Sequence, residues 1–160
     1  MPDPSPFLSV DITSEMETAA FAERLSAFVK KRDVLTLNGT LGAGKTAFAR
    51  AFIRSVCGSE IEVPSPTFNL LLLYDSPKGP IYHYDFYRLE DPEEVWELDV
   101  EDAYEEGITL MEWVERLEDL GPEDPLDIQI TFPEEGLEKA RIISLFGSET
   151  WQNRLQDLVP

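Results

Sequence analysis

The sequence predicts a single three-layer α/β domain with a mixed, partly antiparallel sheet carrying one phosphate-binding loop. Three features carry that expectation. An apolar run, "VLTLN", leads through "GTLGAGKT" into a helical pattern; strand-like and helix-like segments alternate from there to the C-terminus; and proline-punctuated turns separate them. A chain of 160 residues can bury a substantial core without staples. Residues 1–160 therefore read as one domain, with the Pro-rich residues 1–6 as a flexible tail.

In chain order, "SEMETAAFAERLSAFVKK" places Ser14 and Glu17 at capping-box spacing. Phe21, Leu25 and Phe28 form an apolar stripe that Lys30 and Lys31 close, so the segment reads as a helix. "VLTLN" lacks polar alternation, as a strand covered on both faces should. "TAFARAFIRSVCG" puts Ala47, Ala51, Phe52 and Ser55 at helical spacing, and Gly58 stops it. After the loop "VPSPTF", the runs "NLLLLY" and "IYHYDFYR" flank "DSPKGP" and suggest a hairpin. "DPEEVWELDVEDAYEEG" reads as one or two short acidic helices and "ITLMEW" as a buried strand ending in a carboxylate. Leu126 to Phe132 and Arg141 to Phe146 read as strands around a connection at Pro133 to Gly136, before a last helix from Glu149 to Leu158.

The loop from Gly39 to Thr46 matches G-x-x-x-x-G-K-[ST]. In that pattern backbone N–H groups wrap phosphates, the lysine reaches the outer ones, and the hydroxyl meets Mg²⁺. The helix that follows adds the partial positive charge of its N-terminus. The loop alone does not decide whether a nucleotide is hydrolysed, donates its phosphate or is merely held.

Thirteen basic against 32 acidic residues leave a net charge of −19, which repels nucleic-acid backbones and favours a basic protein partner. Direct high-affinity binding of RNA or DNA is not expected. The single cysteine, Cys57, has no internal disulfide partner and reads as a small buried hydrophobe. The first residues lack a secretory pattern and no apolar run reaches membrane-spanning length, so a cytoplasmic protein is expected.

Completing a nucleotide site needs a carboxylate for the metal and a group that orients water. Glu112 ends the apolar run of "ITLMEW", where an acid beside the phosphate loop can share a Mg²⁺ with Thr46; a solvated strand-end acid is the plainer alternative. Strand alternation in "IYHYDFYR" puts His83 and Asp85 on one face. Asp85 is a candidate to polarise water, against a structural pairing with Arg88 or His83. His83 is expected to orient Asp85 or satisfy a core bond rather than act as the base. Pro64 and Pro66 bracket Ser65 and aim Thr67, whose hydroxyl is placed to sense a γ-phosphate unless the loop is only a stiff crossover. Trp113 can stack on a nucleotide or partner, or simply pack. Ten acids and no base lie between Glu90 and Glu106, a solvated face or a docking surface.

Taken together, "GTLGAGKT", "VPSPTF" and "YHYDFYRLEDPEEVWELDVEDAYEEGITLMEW" resemble the TsaE (YjeE) family of bacterial ATPases over most of residues 14 to 132. The resemblance implies an ATP-hydrolysing accessory protein needed to form N6-threonylcarbamoyladenosine beside the anticodon of tRNAs reading codons that begin with A. It implies action with the TsaD transferase and TsaB, contact with tRNA only through them, and no membrane. It implies ATP/ADP and Mg²⁺ as ligands: Gly39, Thr40, Leu41, Gly42, Ala43, Gly44, Lys45 and Thr46 around the phosphates, Thr46 and Glu112 on Mg²⁺, and Lys45, Asp85 and Thr67 in catalysis. Thr40 and Ala47 depart from the Asp and Thr that the family commonly has there, which puts in doubt whatever that Asp adds to turnover. No arginine finger is evident; Arg88 is the nearest candidate, and hydrolysis is expected to be slow without partners. The rival readings are a small-molecule kinase, which would need an Arg-rich lid, and a nucleotide-controlled adaptor without significant turnover.

Overall fold

The structure, a computed structural model, describes residues 5–39, 43–133 and 140–158. Among the described residues seven strands form one sheet: β1 (Leu8–Ile12), β2 (Val34–Asn38), β3 (Leu71–Tyr74), β4 (Ile81–Asp85), β5 (Ile108–Glu112), β6 (Leu126–Thr131) and β7 (Arg141–Phe146). Their order is β1-β7-β6-β2-β5-β4-β3, parallel where β2 meets β5 and β6 and where β4 meets β5, and antiparallel elsewhere. The mixed sheet and the β3–β4 hairpin are therefore as the sequence predicts. The parallel centre is the part covered on both faces, and its strands are accordingly apolar nearly throughout.

Two apolar clusters lie on opposite faces. One joins Leu35, Leu37, Ile81, Ile108 and Leu110 to α1 (Glu15–Ser26) and α2 (Lys45–Cys57). The other joins Val34, Tyr82, Tyr84 and Met111 to a 3₁₀ helix at Pro92–Glu97, to α3 (Val100–Glu106) and to a second 3₁₀ segment at Val114–Leu120. The short α4 (Glu149–Arg154) packs Trp151 on the first cluster. Strand alternation sorts every central residue to one layer or the other. His83, Asp85 and Glu112 share the parity of Ile81, Ile108 and Leu110 and so face α2.

Several elements differ from expectation. α1 ends at Ser26, short of Lys31, and Phe28 packs on the core from the turn beyond it. Glu17 donates its backbone N–H to Ser14 Oγ at 3.2 Å, while its carboxylate accepts from Thr13 N–H at 2.6 Å, one residue before the expected box partner. In α2 the buried stripe is Phe48, Ala49, Phe52 and Ile53; Ala47 and Ser55 are exposed, because the bulkier side chains one position on claim the core. The last helix stops at Arg154. β1 and the Val114–Leu120 segment have no counterpart in the sequence reading. Cys57 is half-buried, and burial pushes its thiol up. Among the described residues no helix is long and apolar enough to cross a membrane.

Candidate functional site

The site forms where β2 turns into α2. Gly39 leaves the strand at φ 151°, and a Cβ there would stand 2.5 Å from the Ile130 carbonyl oxygen, so only glycine lets the loop pass β6 this closely. Gly44 caps α2 at φ 108° with no side-chain cap, which leaves the first-turn N–H groups free to meet an anion. Thr40, Leu41 and Gly42 lie outside the described residues.

The register of β4 and β5 sets Asp85 directly opposite Glu112 at the ends of neighbouring strands. Glu112 is buried, and its two oxygens are shared out: Oε1 accepts from Thr46 Oγ1 at 3.0 Å and Oε2 lies 2.7 Å from His83 Nε2. His83 thus serves Glu112 and not Asp85. The reason is sheet geometry, since a residue two positions back on the adjacent strand is a diagonal neighbour within reach of a long side chain. Asp85 accepts from Thr67 Oγ1 at 3.0 Å through Oδ2 and from Tyr87 N–H at 2.9 Å through Oδ1. It pairs with neither Arg88 nor His83; the Arg88 guanidinium stacks 4.3 Å from the centre of the Phe68 ring. Ser65 and Thr67 hydroxyls lie 2.6 Å apart, so the proline-bracketed loop does deliver Thr67 to the strand acid.

Lys45 is buried, its Nζ 3.6 Å from the centre of the Trp113 ring. Burial lowers its pKa, and Glu112, Glu115 and Asp85 oppose the shift. Trp113 holds a left-handed backbone, φ 60°, which aims its ring at Lys45 and at Tyr87, 4.9 Å away. Gly44, Lys45, Thr46, Thr67, Asp85, Tyr87, Glu112 and Trp113 enclose a cavity of about 350 Å³. Of the side chains that the sequence singled out, Lys45, Thr46, Thr67, Asp85, Glu112 and Trp113 line this cavity, His83 and Arg88 do not, and among the described residues no arginine lines it.

A second cavity of about 800 Å³ opens on the other side of the same helix start, between α1, α2 and β6, with Arg50, Arg54 and Arg141 on its wall. Gly44 and Ala47 line both cavities, so one ligand can straddle the loop. The sequence reading missed this cavity, Tyr87 and the His83–Glu112 contact. The four-residue spacing of Arg50 and Arg54 on one helix flank was the available signal for the cavity.

For a divalent cation the residues fit. Thr46 and Glu112 present adjacent hard oxygen donors, and among the described residues no three acid, imidazole or thiol groups converge on one point. Mg²⁺ is characteristically held in that way, by one or two protein oxygens with phosphates and water supplying the rest.

A family model described as Threonylcarbamoyl adenosine biosynthesis protein TsaE matches residues 12–142. A relative named tRNA threonylcarbamoyladenosine biosynthesis protein TsaE from Rickettsia prowazekii (strain Madrid E) is 46% identical over 109 residues, covering 68% of this chain and 76% of the relative. A relative of the same name from Aquifex aeolicus (strain VF5) is 36% identical over 136 residues, covering 83% of this chain and 93% of the relative. Among solved structures, the crystal structure of Bacillus subtilis YdiB superposes with a TM-score of 0.74 at 28% identity, covering 94% of this chain and 93% of that one.

Proposed function

The chain belongs to the TsaE family, which serves tRNA threonylcarbamoyladenosine biosynthesis, and from that premise we propose that it is a Mg²⁺-dependent ATPase acting with the TsaD and TsaB proteins. The observation that carries the reading is the joining of Thr46, at the start of the phosphate-loop helix, to Glu112, on the strand that also pairs with Asp85. A fold needing only packing has no use for a buried carboxylate held by a phosphate-loop threonine.

The triphosphate would lie against the free N–H groups of α2's first turn. Lys45 would leave Trp113 for the β- and γ-phosphate oxygens, where its charge offsets what develops on them. Thr46 and Glu112 would hold Mg²⁺, which when bound supplies charge neutralisation on the same oxygens. Asp85, which accepts from Thr67 through Oδ2, would orient a water for in-line attack. The wider cavity takes the nucleoside end, since it continues from Gly44 and Ala47 away from the acids.

Hydrolysis by the chain alone is slow in this reading, because among the described residues no arginine lines the smaller cavity, where the outer phosphates would lie, to stabilise the transition state. The same absence disfavours a small-molecule kinase with an arginine-bearing lid. TsaD and TsaB complete the site, docking through the acidic face at Glu90 to Glu106, and tRNA is met only through them.

The test is phosphate release from Mg²⁺-ATP, alone and with TsaD and TsaB, for wild type and Lys45→Ala. Partner-stimulated release that Lys45→Ala lowers on the order of 10²-fold or more supports the reading. No release by wild type under either condition overturns it.

A further inference from the structure

His83 is wholly buried. Nε2 lies 2.7 Å from Glu112 Oε2, while Nδ1 is buried and has no hydrogen-bond partner among the described residues. A carboxylate only accepts, so the proton in that contact belongs to the imidazole, and Nδ1 is left without a partner. An unpaired buried polar atom is unfavourable, and an apolar side chain of similar size would fill the slot without it. Packing therefore gives no reason for a histidine here. The gain lies at Glu112, whose Oε2 is fixed by His83 so that Oε1 is left to Thr46 at 3.0 Å. A carboxylate at the end of a two-carbon stem would otherwise swing about its torsions, and Asp85 faces it across the register with the same charge.

We propose that His83 is a positioning residue that sets Glu112 so that Glu112 and Thr46 offer one matched pair of oxygens to the divalent cation of a bound nucleotide. The inference rests on the nucleotide-binding reading above. It assigns His83 to the metal side of the site and away from proton transfer, since Nδ1 has no partner to pass a proton to. Outer partners of this kind typically change metal affinity or activity 10- to 100-fold.

His83 is the only histidine in the sequence, so its ring can be read without overlap. In the ligand-free protein, ¹⁵N correlation spectra are expected to show a proton on Nε2; a ring without a proton on Nε2 overturns the proposal. ADP affinity is then measured by calorimetry in EDTA and across a Mg²⁺ titration for wild type, His83→Leu, His83→Asn and His83→Gln. His83→Leu is expected to bind ADP in EDTA as wild type does but to need roughly 10- to 100-fold more Mg²⁺ for the metal-dependent gain. His83→Gln, whose amide reaches as far as Nε2, restores most of it, and the shorter His83→Asn does not. If His83→Leu fails to fold, the Gln and Asn pair decides alone. Equal Mg²⁺ requirement across the folded variants overturns the positioning role while leaving the nucleotide reading intact. A wild type whose ADP affinity ignores Mg²⁺ overturns the metal role of Glu112 and the positioning role with it, and a wild type that binds no ADP under either condition overturns the nucleotide reading as well.

Discussion

The two faces of the sheet are built from the same strands and do opposite things. Along β4, Ile81, His83 and Asp85 look toward the phosphate loop, while Tyr82 and Tyr84 look away into a layer of aromatics, with Tyr84 stacked on Phe86 at 5.2 Å. The first face buries a histidine and two carboxylates in shared hydrogen bonds; the second buries ring area and satisfies one phenol, Tyr84 OH on the Leu98 carbonyl at 2.7 Å. Chemistry and stability are thus interleaved residue by residue, separated only by the pleat. Neighbouring substitutions in one strand should then fail in different ways.

Asp85→Asn tests that contrast most severely. It keeps the size and one acceptor of the side chain, so the melting temperature should move little, while phosphate release should fall on the order of 10²- to 10⁴-fold if that carboxylate orients the water as proposed. An Asp85→Asn protein with near-normal turnover would place the hydrolytic chemistry elsewhere. One residue back, Tyr84→Ala should do the reverse. Removing a fully buried ring costs about 3–5 kcal/mol of stability, read by denaturant unfolding, with turnover per folded molecule near wild type.

How far the sequence reveals this division follows from range. The phosphate loop, the strand acid Glu112 and the parity of His83 and Asp85 are local patterns, fixed by spacing and alternation, and they were legible. Which acid His83 serves was not, because the answer lies in the β4–β5 register, a pairing between segments far apart in the chain. The inward face of α2 was misread for a similar reason: Ala47 and Phe48 are both apolar, and only the layer packed against them chooses. β1 did carry a signal, five residues of strict apolar–polar alternation in "LSVDI", but it directly follows the Pro-rich start that reads as a tail.

pH separates the faces again, with smaller effects. On the phosphate-loop face, burial lowers the Lys45 pKa, so the cation that meets phosphate is lost as pH rises through a value below the ordinary lysine range. ADP affinity should weaken there, and nucleotide binding in that range should draw a proton from solution, seen as a calorimetric enthalpy that varies with the buffer. On the other face, burial raises the phenol of Tyr104 to about 12 and that of Tyr84 further still. A phenol held above its unfolded value of about 10 contributes stability that is complete below pH 10 and lost as pH climbs from there. Melting temperature should therefore be flat to about pH 9.5 and fall beyond pH 10, less steeply in Tyr104→Phe.

The smallest effect is expected outside the sheet, on the acidic covering of the aromatic layer. Glu101 and Asp102 are exposed on α3, and Trp96, 51% exposed, stands within the same run of ten acids. None of these residues lines either cavity, so Glu101→Gln with Asp102→Asn should leave unstimulated phosphate release unchanged. If the face steers a basic partner surface, the double variant should lower the association rate with TsaD and TsaB several-fold at low salt, with the difference closing as ionic strength rises. A rate that is unchanged at low salt would make the acids a solvated face alone, and docking would then fall to the exposed Phe68 and its stacked Arg88 beside the site mouth.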